Sequence, residues 1–273
     1  MNLQALGPVL LVGAGKMGGA MLDGWLERGL PAGDICVLEP TPTAELQAIA
    51  SGQGLRLNPD SPDTPAPKVA VLAVKPQAMD EVLPVVAPYV PGDAVVISIA
   101  AGKTIADLAR HLPNGQPIIR TIPNTPAAIG RGVTVCVANG VVSDEQRDAA
   151  TALLEACGEV AWIGDEDLMD AVTAVSGSGP AYVFLLAECL AEAGVAAGLS
   201  PELAARIARI TVSGAGELLH RSDRDPATLR ENVTSPGGTT EAALKVLMGD
   251  AGLQKLMTKA VAAATRRGKE LAG

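Results

Sequence analysis

The chain has 273 residues, 48% of them hydrophobic, which is enough for two domains with substantial cores. Its net charge is −9 and it has no block of basic residues, which argues against nucleic acid and anionic membranes as partners. No basic leader opens the chain, and Glu188 and Glu192 interrupt its longest apolar tract, so we expect a cytoplasmic protein without a membrane span.

The first predicted strand, 9–12, runs into three glycines with the spacing G-x-G-x-x-G, and a helical apolar pattern follows. In a dinucleotide site, Gly13 turns the strand, Gly15 leaves room for a pyrophosphate and Gly18 lets the helix pack closely. The N-terminus of that helix favours an anion. Glu39 ends the second strand about 20 residues further on, as such sites require. A glycine-rich turn that binds nothing is the alternative.

Strands and helices alternate through the first half of the chain. We predict further strands at 34–38, 55–57, 69–74, 94–99, 117–121, 133–137 and 160–163. The predicted helices between them are 43–50, 76–87, 104–112 and 144–157. Residues 58–68, rich in Pro, Asp and Ser, should form a surface loop. This alternation predicts a doubly wound sheet.

From residue 165 onward the sequence predicts helices only. They are 165–175, 181–197, 201–219, 225–233, 239–249 and 252–271. Ser200 and Asp225 are expected N-caps, each followed by a proline in the first turn. The predicted fold is therefore an α/β Rossmann-type N-terminal domain, residues 1–164, followed by an all-α C-terminal domain, residues 165–273.

The sequence offers little for acid–base or metal chemistry. The two histidines, His111 and His220, lie near predicted helix ends and outside any motif. The cysteines are far apart in apolar segments, so we expect buried free thiols and no metal site at Cys36, Cys136, Cys157 and Cys189. If the chain is a hydride-transfer enzyme, its substrate should therefore need little general-acid catalysis. A protonated imine fits, because it already carries a positive charge.

Several strand ends and loops could hold ligands. Small residues at 73–77 and 98–103 would let a flat cofactor ring lie against the backbone, although Lys75 could equally be a solvated surface lysine. Proline stiffens the polar strand end 120–126. The glycine clusters 176–180 and 234–240 each precede a helix and could hold a carboxylate without arginine. Ordinary capping is the alternative for both clusters.

These stretches together resemble the pyrroline-5-carboxylate reductases over nearly the whole chain. The two most specific runs are Ser176-Gly177-Ser178-Gly179-Pro180-Ala181-Tyr182 and Asn232-Val233-Thr234-Ser235-Pro236-Gly237-Gly238-Thr239-Thr240. The resemblance implies reduction of 1-pyrroline-5-carboxylate to L-proline by NADPH or NADH, the last step of proline biosynthesis. It also implies a homodimer through the helical domains and a larger homo-oligomer, such as a decamer.

The resemblance also implies site residues. Thr240 would contact the ring nitrogen and is the expected catalytic residue. The expected substrate-binding residues are Ser235, Gly237, Gly238, Thr239 and Thr240. The expected cofactor-binding residues are Gly13, Gly15, Lys16, Met17, Gly18, Glu39, Asn58, Ala73, Val74, Lys75, Pro76, Ala100, Ala101 and Gly102.

Two questions stay open on the sequence alone. Glu39 would repel the 2′-phosphate of NADPH, whereas the family habit favours NADPH and Thr41 and Thr43 could turn to a phosphate. The rival functions are another two-domain Rossmann dehydrogenase or imine reductase, and a non-catalytic nicotinamide-sensing regulator. The loop 235–240 argues against the regulator.

Overall fold

The structure is a computed structural model that describes residues 3–62 and 65–272. Residues 63–64 of the predicted surface loop, and residues 1–2 and 273 of the predicted domains, lie outside the described part. The described chain forms two compact units. One holds the residues up to Gly177 together with those from Thr265 onward, and the other is Ser178–Ala264.

The first unit is built on one eight-stranded sheet with the order β3-β2-β1-β4-β5-β6-β7-β8. The strands are β1 Val9–Val12, β2 Ile35–Leu38, β3 Arg56–Leu57, β4 Val69–Leu72, β5 Val95–Ser98, β6 Ile118–Ile122, β7 Gly132–Ala138 and β8 Gly158–Trp162. Strands β1 to β6 are parallel and follow the dinucleotide-binding order. The predicted doubly wound sheet is confirmed.

The sequence did not predict that β7 runs antiparallel to β6, with β8 parallel to β7. The reason is the length of the connection. Only residues 123–131 join β6 to β7, and they include the 3₁₀ turn Thr125–Ile129. A parallel crossover needs a dozen or more residues, so the chain reverses direction here.

Both faces of the central strands are buried in apolar clusters. Val9 and Leu11 face one cluster, whereas Leu10 and Val12 face the other, as the two-residue period of a strand requires. Trp25 is fully buried in the first cluster, and its indole N–H donates to the carbonyl of Leu153 at 2.9 Å. This packing holds the first helix against the sheet.

Up to residue 177, the helices of the first unit lie between these strands or directly after β8, close to the predicted positions. They are α1 Lys16–Glu27, α2 Ala44–Gln53, α3 Met79–Val86, α4 Ile105–Ala109, α5 Asp144–Leu154 and α6 Met169–Val172, and the π-helical turn Thr173–Gly177 follows. The compact unit therefore runs past the predicted domain boundary at residue 164. Met169 explains this extension, because it is fully buried in a cluster with Ile122 and Val137.

The second unit is helical, as predicted. It contains α7 Gly179–Ala196, α8 Pro201–Arg221, α9 Pro226–Asn232, α10 Thr239–Leu247 and the first part of α11 Leu253–Ala272. The side chains of Ser200 and Asp225 accept hydrogen bonds from the N–H groups of Leu203 and Thr228, which confirms both predicted caps. A side-chain Cβ at Gly194 would lie 3.2 Å from Ala204, so α7 and α8 approach closely.

Helix α7 exposes much of its apolar surface in the single chain. Its exposed side chains include Val183, Phe184, Leu185, Leu186 and Leu190. By length and composition, the segment Glu166–Ala196 is apolar enough to cross a membrane, because it contains an 18-residue window with a mean hydropathy of 1.3, of which 6% is buried. The prediction of a buried Cys189 is wrong, because this cysteine lies on the uncovered helix. Cys36, Cys136 and Cys157 are buried and free, as predicted.

Candidate active site

The loop after β1 requires glycine at its first position. Gly13 has φ +89°, and its N–H donates to the carbonyl of Leu38 at 2.8 Å. A Cβ at this position would stand 2.8 Å from the carbonyl oxygen of Ala73. Both the backbone conformation and the closeness of β4 therefore exclude a larger side chain.

The start of α1 is open to an anion. Gly15 is the N-cap of α1, and a Cβ added to it would meet no other atom within 4 Å. No side chain caps the helix. The first N–H groups of the helix therefore lack intrahelical partners. Gly18 has the opposite surroundings, since a Cβ there would stand 2.1 Å from the carbonyl oxygen of Gly13. The second glycine leaves space for a pyrophosphate, and the third allows the helix to approach the loop.

A cleft of about 710 Å³ opens beside this loop, at the carboxyl ends of β1, β2 and β4. Half of the predicted cofactor residues line it, namely Gly13, Gly15, Glu39, Asn58, Ala73, Val74 and Lys75. The carboxyl ends of the strands, where the strand order reverses, are where doubly wound sheets bind ligands. This cleft is the candidate cofactor site.

Sequence reasoning missed the far wall of the cleft, which is formed by α3 and the turn after it. Val82, Val85, Val86 and Tyr89 contribute apolar surface there, and the Tyr89 hydroxyl donates to the carbonyl of Pro59 at 3.2 Å. The helical spacing of these four residues was visible in the sequence. Such a spacing indicates one apolar helix face, but it does not indicate whether that face contacts a ligand or the core.

The other predicted cofactor residues do not line this cleft. Lys16 lines a neighbouring cleft of about 830 Å³ that α2 also lines, and Met17 packs against the core. Pro76 begins a 3₁₀ turn after β4. Ala100 is buried, Ala101 is exposed and Gly102 has φ +77° in the loop after β5. Their roles toward the cofactor stay predictions.

Glu39 is held at the rim of the cleft by a network of hydrogen bonds. Its carboxylate accepts from the N–H of Ala14 at 2.8 Å and from that of Thr41 at 3.0 Å. The side chain of Asn58 accepts from the N–H of Glu39 at 2.8 Å and donates to its carbonyl at 2.7 Å. The acidic group is therefore tied directly to the glycine loop.

The polar side chains at the end of β6 form hydrogen bonds and an ion pair with neighbouring parts of the same unit. Arg120 is buried and donates to Glu166 at 2.9 Å, and the same carboxylate oxygen accepts from the N–H of Ile105. The amide of Asn124 donates to the carbonyl of Ser176 at 3.3 Å and accepts from the N–H of Val133. Hydrogen bonds to α4, β7 and the turn before α7 therefore hold this end of the sheet in place.

The predicted substrate loop lies in the helical unit and leads into α10. Gly238 is the N-cap of this helix, and its N–H donates to the carbonyl of Ser235 at 3.0 Å. Gly237 has φ +71°, so the loop turns sharply just before the helix. Ser235, Gly237 and Thr239 are exposed, whereas Gly238 and Thr240 are half-buried. The loop can therefore present hydroxyl and N–H groups together.

Sequence reasoning missed one residue beside this loop, in the first turn of α10. The carboxylate of Glu241 accepts from the N–H of Gly237, and it also pairs with Lys245 at 3.1 Å. The Gly237 N–H and then Lys245 hold the pKa of Glu241 below its usual range. An ionised carboxylate therefore occupies an N–H group of the predicted substrate loop.

The sequence and the structure match one set of known proteins. The chain is 41% identical to the pyrroline-5-carboxylate reductase of Pseudomonas aeruginosa, over 97% of this chain and 96% of that protein. The chain belongs to the pyrroline-5-carboxylate reductase family. Residues 166–271 match the family model described as pyrroline-5-carboxylate reductase dimerisation. Residues 8–102 match the model described as NADP oxidoreductase coenzyme F420-dependent.

Solved structures of pyrroline-5-carboxylate reductases have the same fold. The Coxiella burnetii reductase superposes with a TM-score of 0.90 at 34% identity, covering 98% of this chain and 99% of that one. The Plasmodium falciparum reductase, solved with NADP bound, superposes with a TM-score of 0.77 at 29% identity, covering 97% and 98%. Among the residues described here, no group of three or more His, Cys, Asp or Glu side chains could hold a metal ion.

Proposed function

We propose that this chain reduces the C=N bond of 1-pyrroline-5-carboxylate to give L-proline, the last step of proline biosynthesis, with NADH or NADPH as the reductant. The observation that carries the proposal is the 41% identity to a pyrroline-5-carboxylate reductase over 97% of the chain. The open N-terminus of α1 and the adjoining cleft support binding of a dinucleotide. The NADP in the Plasmodium relative supports the same class of cofactor.

When bound, the reduced nicotinamide supplies a hydride to the imine carbon. The first turn of α1 would hold the pyrophosphate, and the residues that line the cleft would hold the adenosine half. In the helical unit, the N–H and hydroxyl groups of the loop 235–240 hold the substrate carboxylate and ring. The Thr240 hydroxyl hydrogen-bonds the ring nitrogen. A protonated imine already carries the positive charge that the hydride neutralises, so positioning supplies most of the catalysis.

We include a homodimer, and a larger homo-oligomer such as a decamer, in the proposal. The exposed apolar side chains of α7 support subunit contact, because a monomeric protein rarely exposes so many neighbouring apolar groups. The match of residues 166–271 to a dimerisation model supports the same surface. Glu188 and Glu192 within α7 favour a helix that packs on a partner subunit over a membrane span, in a cytoplasmic protein.

The test is an assay of purified protein with 1-pyrroline-5-carboxylate and each reduced cofactor, followed at the nicotinamide absorbance band. We expect oxidation of the cofactor and formation of proline. Thr240→Ala should lower kcat/KM for the imine by about 10- to 100-fold while cofactor affinity stays unchanged. Thr240→Ser, which keeps the hydroxyl, is the matched control and should recover most of the loss. No proline with either cofactor would overturn the proposal.

A further inference from the structure

We infer that Glu39 makes this enzyme prefer NADH to NADPH, because its carboxylate fills the position that the 2′-phosphate of NADPH would need. The inference relies on the proposed function only for the class of cofactor. Glu39 follows β2 and lines the 710 Å³ cleft beside the glycine loop. In doubly wound sheets this strand end meets the adenosine ribose.

The carboxylate of Glu39 takes two backbone N–H groups that could otherwise bind an anion. One belongs to Ala14 in the glycine loop, at 2.8 Å, and the other to Thr41 in the loop after β2, at 3.0 Å. A phosphate at this corner would lose both donors and would meet a negative charge. A ribose with a free 2′-hydroxyl meets no such repulsion, and it can donate to the carboxylate.

Asn58 prevents Glu39 from leaving this position through a backbone movement. Its side-chain amide bonds both the N–H and the carbonyl of Glu39, at 2.8 and 2.7 Å. Asn58 itself has φ +46°, a left-handed conformation that asparagine tolerates better than most residues. Asn58 therefore acts as a positioning residue for the carboxylate.

The surroundings supply little that could attract a phosphate instead. Among the described residues that line the cleft, Lys75 is the only Lys or Arg, and it follows β4, which lies on the other side of β1 from β2. The Thr43 hydroxyl already accepts from the N–H of Leu46 as the N-cap of α2. Recognition of a 2′-phosphate usually relies on a nearby arginine or similar cation.

The experiment compares kcat/KM for NADH and NADPH at fixed 1-pyrroline-5-carboxylate and ionic strength. We expect the wild-type protein to favour NADH by about 100-fold, because like charges in contact disfavour the phosphate. Glu39→Ser should cut this preference at least about tenfold, mainly by raising kcat/KM for NADPH. Asn58→Ala should lower the preference in the same direction. Asp34→Asn, which removes a carboxylate at the opposite end of β2, is the control and should leave the ratio unchanged.

Two outcomes would overturn the inference: a wild-type preference for NADPH, or an unchanged ratio in Glu39→Ser. If that variant does not fold, Glu39→Gln removes the charge with little change in size and gives the same test. Titration of the protein with each nucleotide, read by nicotinamide fluorescence, separates this inference from the proposed function. Tighter binding of NADH without imine reduction would support the inference and overturn the function, whereas equal binding of both nucleotides would overturn the inference.

Discussion

Replacing Gly18 with alanine tests the close approach of α1 to the glycine loop. The added Cβ would stand 2.1 Å from the carbonyl oxygen of Gly13 and 3.1 Å from the Cβ of Ala73. Both neighbours belong to strand ends that are held in the sheet, so neither can rotate away as a flexible side chain would. The helix must instead move outward by about 0.9 Å to bring the first contact to 3.0 Å.

The expected loss of stability follows from that displacement. Overpacking of a tightly packed site costs about 1–3 kcal/mol, and the helix propensity gained by alanine over glycine returns at most about 1 kcal/mol. The net destabilisation should be about 1–2 kcal/mol. The same movement shifts the N–H groups at the start of α1, so the affinity for a dinucleotide should fall by about tenfold or more.

Gly19→Ala is the matched control in the same helix turn. Its Cβ would meet only the carbonyl oxygen of Ala14, at an ordinary 3.5 Å, so it should stabilise the helix by about 0.5–1 kcal/mol. The assay is urea unfolding at equal protomer concentration, combined with nucleotide titration. If Gly18→Ala unfolds at the same urea concentration as Gly19→Ala and binds NADH equally well, the steric reasoning is refuted.

Two further predictions concern the helical unit and the thiols. Glu241→Gln should lower KM for 1-pyrroline-5-carboxylate by about two- to fivefold, because a neutral amide competes less strongly than the ionised carboxylate for the Gly237 N–H and does not repel the substrate carboxylate. A higher KM in steady-state assays would contradict this prediction. A disulfide reagent at pH 8 should label at most one thiol per native chain, Cys189, and all four after denaturation. Burial raises the pKa of Cys136 to about 12, so it stays protonated at that pH, and rapid labelling of the native Cys136 would refute this assignment.

The sequence predicted the sheet unit well because its patterns are satisfied within the unit itself. The continuous apolar run of β4 predicts burial on both faces, and the neighbours that bury it lie in the same unit. The direction of β7 was missed because strand patterns do not record direction. It follows from the short connection after Ile122, whose consequence becomes clear only once the strand ends are known.

The candidate site shows the same division between local and non-local information. The glycine spacing predicted the loop and the N-terminus of α1, because Gly13 and Gly18 are each required by a close contact with the loop or the adjacent strand, whereas Gly15 leaves open space. The hydrogen bonds of Glu39 to Ala14 and Asn58 join residues 25 and 19 positions apart, so only the fold could reveal them. Glu241 was missed because its partner, Gly237, had been assigned to the substrate.

Cys189 shows what apolar patterning alone cannot decide. The tract around it predicts burial, yet in the single chain α7 leaves Phe184, Leu186 and Leu190 exposed with it. An apolar pattern predicts that a surface is buried, but it does not predict whether the same chain or a second copy covers that surface. Gly194 of α7 and Ala204 of α8 are small enough for the two helices to approach closely. That close pairing leaves the larger side chains of α7 facing outward, which is the arrangement that a helix shared between subunits requires.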